Sequence, residues 1–278
     1  MATTIGLLHP GEMGSMVGAA ARAGGARVLW VSGGRSAATR SRANAVGLED
    51  ARALSELVSQ SDMILSICPP ANALDIAREV ASLGFGGTYV DGNAVSPATT
   101  RVIGDVVADG GARYVDGGII GPPPRKSGTT RLYLSGRGAR DIAALFSGSN
   151  LEAIPLDGPI GAASAMKVAY ASWTKGSQAL ILAVRAFATH EGVDEALLEE
   201  WARSQPDLAK RSENAVASNV KKAWRFVGEM EEIAASFDAV GLPDEFHQAC
   251  AEIYRRLAGW KDTPTPPSVT EVAKMLAP

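Results

Sequence analysis

Short apolar runs, each broken by glycine or proline, alternate with helical stretches along the first half of the chain. Thr3, Ile5, Leu7 and Leu8 form the first run, Pro10 and Gly11 stop it, and Glu12 to Ala23 reads as a helix. Arg27 to Val31 is a second strand, with helical sequence following from Ala37 to Ala45. Met63 to Cys68 is a buried strand halted by Pro69 and Pro70, and Ala71 to Ser82 is helical again. Thr88 to Asp91 precedes a helix from Ala98 to Asp109; Arg113 to Asp116 and Arg131 to Leu134 are further strands, and a short helix starts over Asp141 to Phe146. Short apolar strands spaced by helices predict an α/β domain built on a mostly parallel, doubly wound sheet covered on both faces.

Beyond the stretch Asp157 to Gly161 the strand signal disappears. Ala162 to His190 is apolar nearly all round, the pattern of a helix buried among others. Glu195 to Arg203, an interrupted stretch from Asp207 to Ala239, and Pro243 to Ala258 are also helical. After a linker carrying Pro264, Pro266 and Pro267, Ser268 and Glu271 have the spacing of a capping box. The expected organisation is therefore an α/β domain over residues 1–157 and an all-α domain over 158–278. A long helix apolar on every side needs more cover than a few short helices give, which points to a homodimer.

Composition narrows the function classes. Apolar residues are 46% of the 278 and charged residues 21%, an ordinary globular balance. A net charge of −3 gives no support for a nucleic-acid or membrane-surface partner, leaving a small-molecule substrate as the expected one. No apolar run approaches the roughly 20 residues of a membrane span, and the N-terminus enters a strand without the basic segment of a signal peptide. Cys68 and Cys250 fit no disulfide or metal spacing, and the three histidines are scattered. Reduced thiols, a cytoplasmic location and no metal site are the expectation.

The chemistry concentrates in three places. His9-Pro10-Gly11-Glu12-Met13-Gly14 follows a strand and opens a helix, as a dinucleotide-binding turn does, with His9 in place of the first glycine of G-x-G-x-x-G. Pro10 also removes one N–H from the turn. After the second strand no acid occurs between Glu12 and Glu49, and Ser32, Gly33, Arg35, Ser36 and Thr39 stand where a ribose is read. Lacking the carboxylate of an NAD site and offering Arg35, this stretch favours the 2′-phosphate of NADP(H); the alternative is that Arg35 only caps a solvated loop. Third, Lys167 lies early in the long apolar helix, with no acid between Asp157 and Glu191. Such a lysine needs a partner from another element or gives up its proton more readily, which suits proton transfer to an oxygen; the alternative is that it snorkels to solvent. Tyr170, Thr174 and Gln178 lie within about 60° of it on an ideal helix and would extend a polar strip.

Together these stretches resemble the β-hydroxyacid dehydrogenase family of 3-hydroxyisobutyrate and phosphogluconate dehydrogenases, in the branch with its own phosphogluconate-dehydrogenase-like helical domain. Gly6 to Gly14 matches the opening glycine motif, and Val90-Asp91 with Ser96-Pro97 the second segment. Asp116 to Gly121 stands at the substrate segment D-x-P-x-S-G-G. Gly158 to Lys167 resembles the motif G-x-x-G-x-G-x-x-x-K, with Ala163 for the third glycine. Lys167 to Gly176 and Trp224 to Glu232 resemble signatures of the narrower branch. The resemblance implies a Rossmann-type NADP(H)-binding domain followed by a helical domain for substrate and dimerisation. It implies hydride transfer between nicotinamide and a secondary alcohol or its ketone. Lys167 would carry the proton, helped by Tyr170. The implied cofactor contacts are His9, Pro10, Gly11, Glu12, Met13, Ser32, Gly33, Arg35, Ser36, Cys68, Pro69, Pro70 and Asn93. The implied substrate contacts are Gly117, Gly118, Ile120, Trp173 and Thr174.

The departures bear on the substrate. Ile120 replaces the family's substrate-binding serine, Tyr170 or Ala171 its asparagine, and Glu231-Glu232 a Lys-Asp pair. A pocket poorer in carboxylate-binding groups, with Ile119, Ile120, Pro122, Tyr170 and Trp173, favours a less polar substrate than phosphogluconate. Arg125 and Lys126 remain to receive an anion, or are simply solvated. Two other readings stand beside the dehydrogenase: an NADPH-dependent imine reductase, and a non-catalytic NADP(H)-binding sensor.

Overall fold

The computed structural model describes every residue except Met1, Asp262, Pro264 and Pro278. The chain divides into two compact units, Met1–Lys167 and Val168–Pro278. In the first, strands and helices alternate as β1 (Thr4–Leu8), α1 (Glu12–Ala23), β2 (Arg27–Trp30), α2 (Ala37–Ala45), β3 (Glu49–Asp50) and α3 (Leu54–Gln60). They continue as β4 (Met63–Ser66), α4 (Ala73–Ser82), β5 (Thr88–Asp91), α5 (Pro97–Asp109) and β6 (Arg113–Ile120). The unit's last strands and short helix are β7 (Thr130–Ser135), α6 (Ala139–Ala144) and β8 (Leu151–Pro155).

The eight strands form one sheet in the order β3-β2-β1-β4-β5-β6-β7-β8. Strands β1 to β6 are parallel, β7 runs antiparallel to β6, and β8 is parallel to β7. Side chains alternate across it as a strand period of two requires. Ile5, Leu7, Leu65 and Val90 join a core with Val17 and Ala21 of α1. Ile64, Tyr89 and Tyr114 join a second core with Leu57, Ala77 and Ile103 on the other face. The chain leaves β1 toward β3 and returns to β4 on the opposite side, so strand order reverses between β1 and β4. In open α/β sheets the crevice at the carboxyl ends beside such a reversal is where ligands bind.

Elements β3, α3 and β8 carry no clear apolar run. The two residues of β3 are both acidic and exposed, and only pairing with Leu29 and Trp30 makes them a strand. The first unit also runs past the composition change near Asp157, as far as Lys167. The reason is Asp116 on β6, which accepts hydrogen bonds from the backbone N–H groups of Gly161, Ala163 and Ser164 at 3.0, 3.0 and 3.1 Å.

Helix α7 (Ala162–His190) begins in the first unit and continues in the second, where α8 (Asp194–Ser204), α9 (Leu208–Asn219) and α10 (Ala223–Asp238) follow. Helices α11 (Glu245–Arg256) and α12 (Val269–Leu276) complete it, and no strand occurs among its described residues. The stretch from Asp207 to Ala239 is interrupted at a 3-10 turn, Val220–Lys222. Ser268 and Glu271 form both bonds of the capping box; of the proline linker before them, Pro264 lies outside the described residues. Within the chain, helix α7 is covered along one side only. Ala179, Leu182 and Ala186 are buried in the helical core, whereas Tyr170, Trp173, Leu180 and Phe187 are exposed. Among the described residues no helix is long and apolar enough to cross a membrane.

Candidate active site

The turn after β1 is tight because two backbones meet there. A Cβ on Gly14 would stand 2.5 Å from the His9 carbonyl oxygen, so glycine is required for α1 to pack this close. His9 takes the left-handed conformation at φ 63°, the geometry the usual first glycine supplies without strain. Burial, and after it the Arg35 guanidinium, lower the His9 imidazole to about 4, so it is neutral at physiological pH. Gly11 heads α1 without a side-chain cap, and open space surrounds its Cβ position. The first-turn N–H groups, with no intrahelical partner, therefore suit an incoming anion. The buried Nδ1 of His9 and Nε of Arg35 also have no protein partner. Open backbone and orphaned polar atoms at the strand-order reversal fit a dinucleotide.

Ser32, Gly33, Arg35 and Ser36 form the loop between β2 and α2. Arg35 N–H closes a turn on Ser32 O at 3.2 Å. Ser36 caps α2 by accepting from Thr39 N–H at 3.2 Å. The structure adds an acid that lies outside this loop. Asp50, paired with Trp30 across β2 and β3, accepts from the N–H groups of Ser32 at 3.1 Å and Arg52 at 2.9 Å. Slight burial works against its charge, but the hydrogen bonds from Ser32 and Arg52 outweigh that and hold its carboxyl below the usual range. Asp50 follows Ser32 by eighteen positions in sequence, so no local signal links the two.

At the carboxyl ends of β4 and β5, Asn93 ties two loops together. Its Oδ1 accepts from Cys68 N–H at 2.6 Å and its Nδ2 donates to Ser66 Oγ at 3.1 Å. Cys68 therefore enters the site through its backbone; burial, with a contribution from Asp91, raises its thiol to about 11, which leaves it protonated and unreactive. Pro69 ends this segment and Pro70 opens a 3-10 turn into α4.

Asp91 and Asp116 face one another in register on β5 and β6, each closing a Tyr-Val-Asp triplet whose tyrosines, Tyr89 and Tyr114, stack at 6.2 Å. The two carboxyls have very different surroundings. Asp116 is wholly buried and, besides the N–H groups of Gly161, Ala163 and Ser164, accepts from Thr100 Oγ1 at 3.2 Å, Ser135 Oγ at 2.9 Å and Ser164 Oγ at 2.6 Å. Asp91 accepts from Asn93 N–H at 2.8 Å, while its Oδ2 is buried without a partner. Burial raises Asp91 to about 7, Asp116 adds to the rise, and Asn93 and the Lys167 charge oppose it.

Lys167 stands one turn into α7. Its Nζ donates to Ile119 O on β6 at 3.1 Å, so another element does supply a partner. Gly117 and Gly118 make room for protein rather than leaving an open wall: a Cβ on Gly117 would lie 2.7 Å from Asp91 O, and one on Gly118 2.7 Å from Ala163 O and 3.2 Å from Lys167 Cβ. Ile120 is buried at the end of β6. Tyr170, Trp173 and Thr174 belong to the second unit. There Tyr170 and Trp173 are exposed, Thr174 donates back to Tyr170 O at 3.0 Å, and Gln178 is held by Asn219, so the latter two spend their polar groups inside the helical unit. Asp91, Asp116 and Ser164 lie inside the motif stretches quoted from the sequence, which gave none of the three a role of its own. The repeated Tyr-Val-Asp triplets, acids ending apolar strands, were the signal available for the first two.

Comparison with known proteins bears on this geometry. A family profile described as a domain of unknown function, DUF1932, matches residues 188–257, and it is the C-terminal domain typical of the branch named above. An uncharacterised 28.5 kDa protein of Methanothermus fervidus is 32% identical over 167 residues, 60% of this chain and 63% of that protein, so the match spans less than two thirds of the relative. The conserved protein MTH1747, described as structurally similar to 3-hydroxyacid dehydrogenases, superposes with a TM-score of 0.75 at 27% identity, covering 93% of this chain and 98% of that one. The Mycobacterium tuberculosis 3-hydroxyisobutyrate dehydrogenase with L-serine gives 0.76 at 17% identity over both full chains. An Aspergillus terreus reductive aminase in complex with NADPH and ethyl levulinate gives 0.57 at 18% identity, covering 99% of each chain. The resemblance to β-hydroxyacid dehydrogenase-like proteins is borne out, and the fold is that of dehydrogenases and reductases.

Proposed function

We propose that this chain, with the fold of the β-hydroxyacid dehydrogenases and a helical domain of the DUF1932 type, is an NADP(H)-dependent oxidoreductase acting on a secondary alcohol or its ketone. The observation that carries the reading is that three things lie at the carboxyl ends of the neighbouring strands β1, β4, β5 and β6: the His9-Pro10-Gly11 turn, the Asn93 tie between β4 and β5, and a lysine held on β6. Nicotinamide complexes of proteins with this fold support the cofactor class.

The first turn of α1 would take the pyrophosphate on its free N–H groups. Arg35 and Ser36 would receive the 2′-phosphate, Asp50 being occupied by Ser32 and Arg52. Bound there, a nicotinamide would supply the hydride in reduction and accept it in oxidation. Lys167 gives a proton to the oxygen in reduction and takes it back in oxidation, its ammonium kept in place by Ile119 O. Asn93 keeps the β4 and β5 ends together, so the crevice floor does not shift during the reaction. An imine substrate is the second reading, favoured by the superposition on the reductive aminase and by the isoleucine at 120.

The test follows nicotinamide absorbance. NADP⁺ is paired with 3-hydroxy acids and aryl alcohols, and NADPH with the matching ketones and cyclic imines. Turnover of alcohol or ketone, falling by about 10²- to 10⁴-fold in Lys167→Ala, is the expected result. Turnover of imines alone would move the reading to the second class. Undiminished turnover in Lys167→Ala would remove the proposed proton carrier.

A further inference from the structure

The part of β6 that faces α7 acts as a single grip. Asp116 holds the N–H groups of Gly161, Ala163 and Ser164, and the Ser164 hydroxyl as well. Two residues along the strand, Gly118 lets the helix come down onto β6 against Ala163 O and the Lys167 Cβ. One residue further, Ile119 O receives the Lys167 ammonium. The dimensions agree. Ala163 and Lys167 are four residues apart on one helical face, a rise of about 6 Å. Asp116 and Ile119 are three apart on a strand, about 10 Å, and the lysine side chain spans the remainder. Asp116 thus anchors the helix at one end of the grip and the ammonium is seated at the other.

A buried carboxylate with six donors is also a directional anchor. Two further hydroxyls, Ser135 on β7 and Thr100 on α5, donate to different oxygens of the carboxyl and fix its plane. The N–H groups of Gly161, Ala163 and Ser164 come from the start of α7, where the helix N-terminus favours negative charge. A shift of α7 along β6 would break several of these bonds together, so the helix has one register on the strand.

We infer that Asp116 is the positioning residue for Lys167, setting the register of α7 on β6 and with it the place of the Lys167 ammonium, and that Gly118 is the close contact through which this register reaches the lysine. The inference concerns the protein's own geometry; its value for catalysis rests on the function proposed above.

The experiment is competitive acetylation of the intact protein with acetic anhydride, read peptide by peptide by mass spectrometry. Exposed Lys126 and Lys210 serve as internal references. In Asp116→Asn, and independently in Gly118→Ala, Lys167 is expected to label about three- to tenfold faster than in the wild type, the factor that the net contribution of one ordinary intramolecular hydrogen bond supports, with the references unchanged. Should Asp116→Asn fail to fold, Ser164→Ala removes one donor from the same carboxylate and replaces it. Wild-type labelling of Lys167 in the folded variants would overturn the inference. Kinetics on a substrate from the panel separate the two claims. The variants should lower kcat with KM little changed, whereas full activity in Lys167→Ala would defeat the proposed function and leave the labelling result standing.

Discussion

Asp91→Asn provides a quantitative test of the buried carboxyl pair. Burial holds Asp91 at about 7 in the folded protein, against about 3.9 in an unfolded chain. Between those values the folded state binds a proton that the unfolded state has lost, so raising the pH destabilises the wild type. The contribution is fully favourable below about 4, declines through the window, and reaches its full cost above about 7. At about 1.36 kcal/mol per pH unit, three units correspond to roughly 4 kcal/mol, an upper figure because water penetration and local relaxation reduce it. Asparagine keeps the acceptor for Asn93 N–H and carries no titrating proton. The stability of Asp91→Asn relative to wild type should therefore climb by about 2–3 kcal/mol from pH ~5 to pH ~7.5. Urea unfolding across that range, with hydrogen exchange on the amides of β5 to report on the first unit, measures the difference directly. Parallel pH curves for the two proteins would show that Asp91 is already ionised in the fold, and the account of the pair would fail.

Two other substitutions probe separate parts of the molecule. Arg35→Ala should weaken NADPH binding by about tenfold and leave NADH nearly unchanged, since only the 2′-phosphate meets the guanidinium; fluorescence titration with both dinucleotides decides it, and equal losses would refute the assignment. In the helical unit Arg185 is buried, bonded through Nε and Nη2 to Asp194 at 2.6 and 2.8 Å and through Nη1 to Ser212 at 2.8 Å. Asp194→Ala strands that charge and should cost about 3 kcal/mol in denaturant unfolding; a change below about 0.5 kcal/mol would mean that Ser212 and water suffice.

Much of the architecture is local information. Apolar runs closed by Pro10-Gly11 or Pro69-Pro70, the helix Ala37–Ala45, the long helix Ala162–His190 and the Ser268 capping box could all be read residue by residue. Each rests on a periodicity or a cap within a few positions of itself, and the core merely ratifies it. Lys167 was also legible, because a cation early in an apolar helix that carries no acid is conspicuous without any knowledge of its surroundings.

The tertiary structure alone decided what meets what. The two acids of β3 become a strand only beside β2, and that pairing brings Asp50 to Ser32. Asp116 finds its backbone donors at and just before the start of α7, 45–48 residues away, so the first unit closes at Lys167 and not where the composition changes. Thr174 and Gln178, on the same helical face as Lys167 in an ideal projection, turn their polar groups to the helix and to Asn219. The physical reason is common to all of these. Hydrophobic patterning states which face of an element is buried, whereas a buried carboxylate is stabilised only by donors that the folded chain delivers from elsewhere, and no spacing along the sequence encodes them.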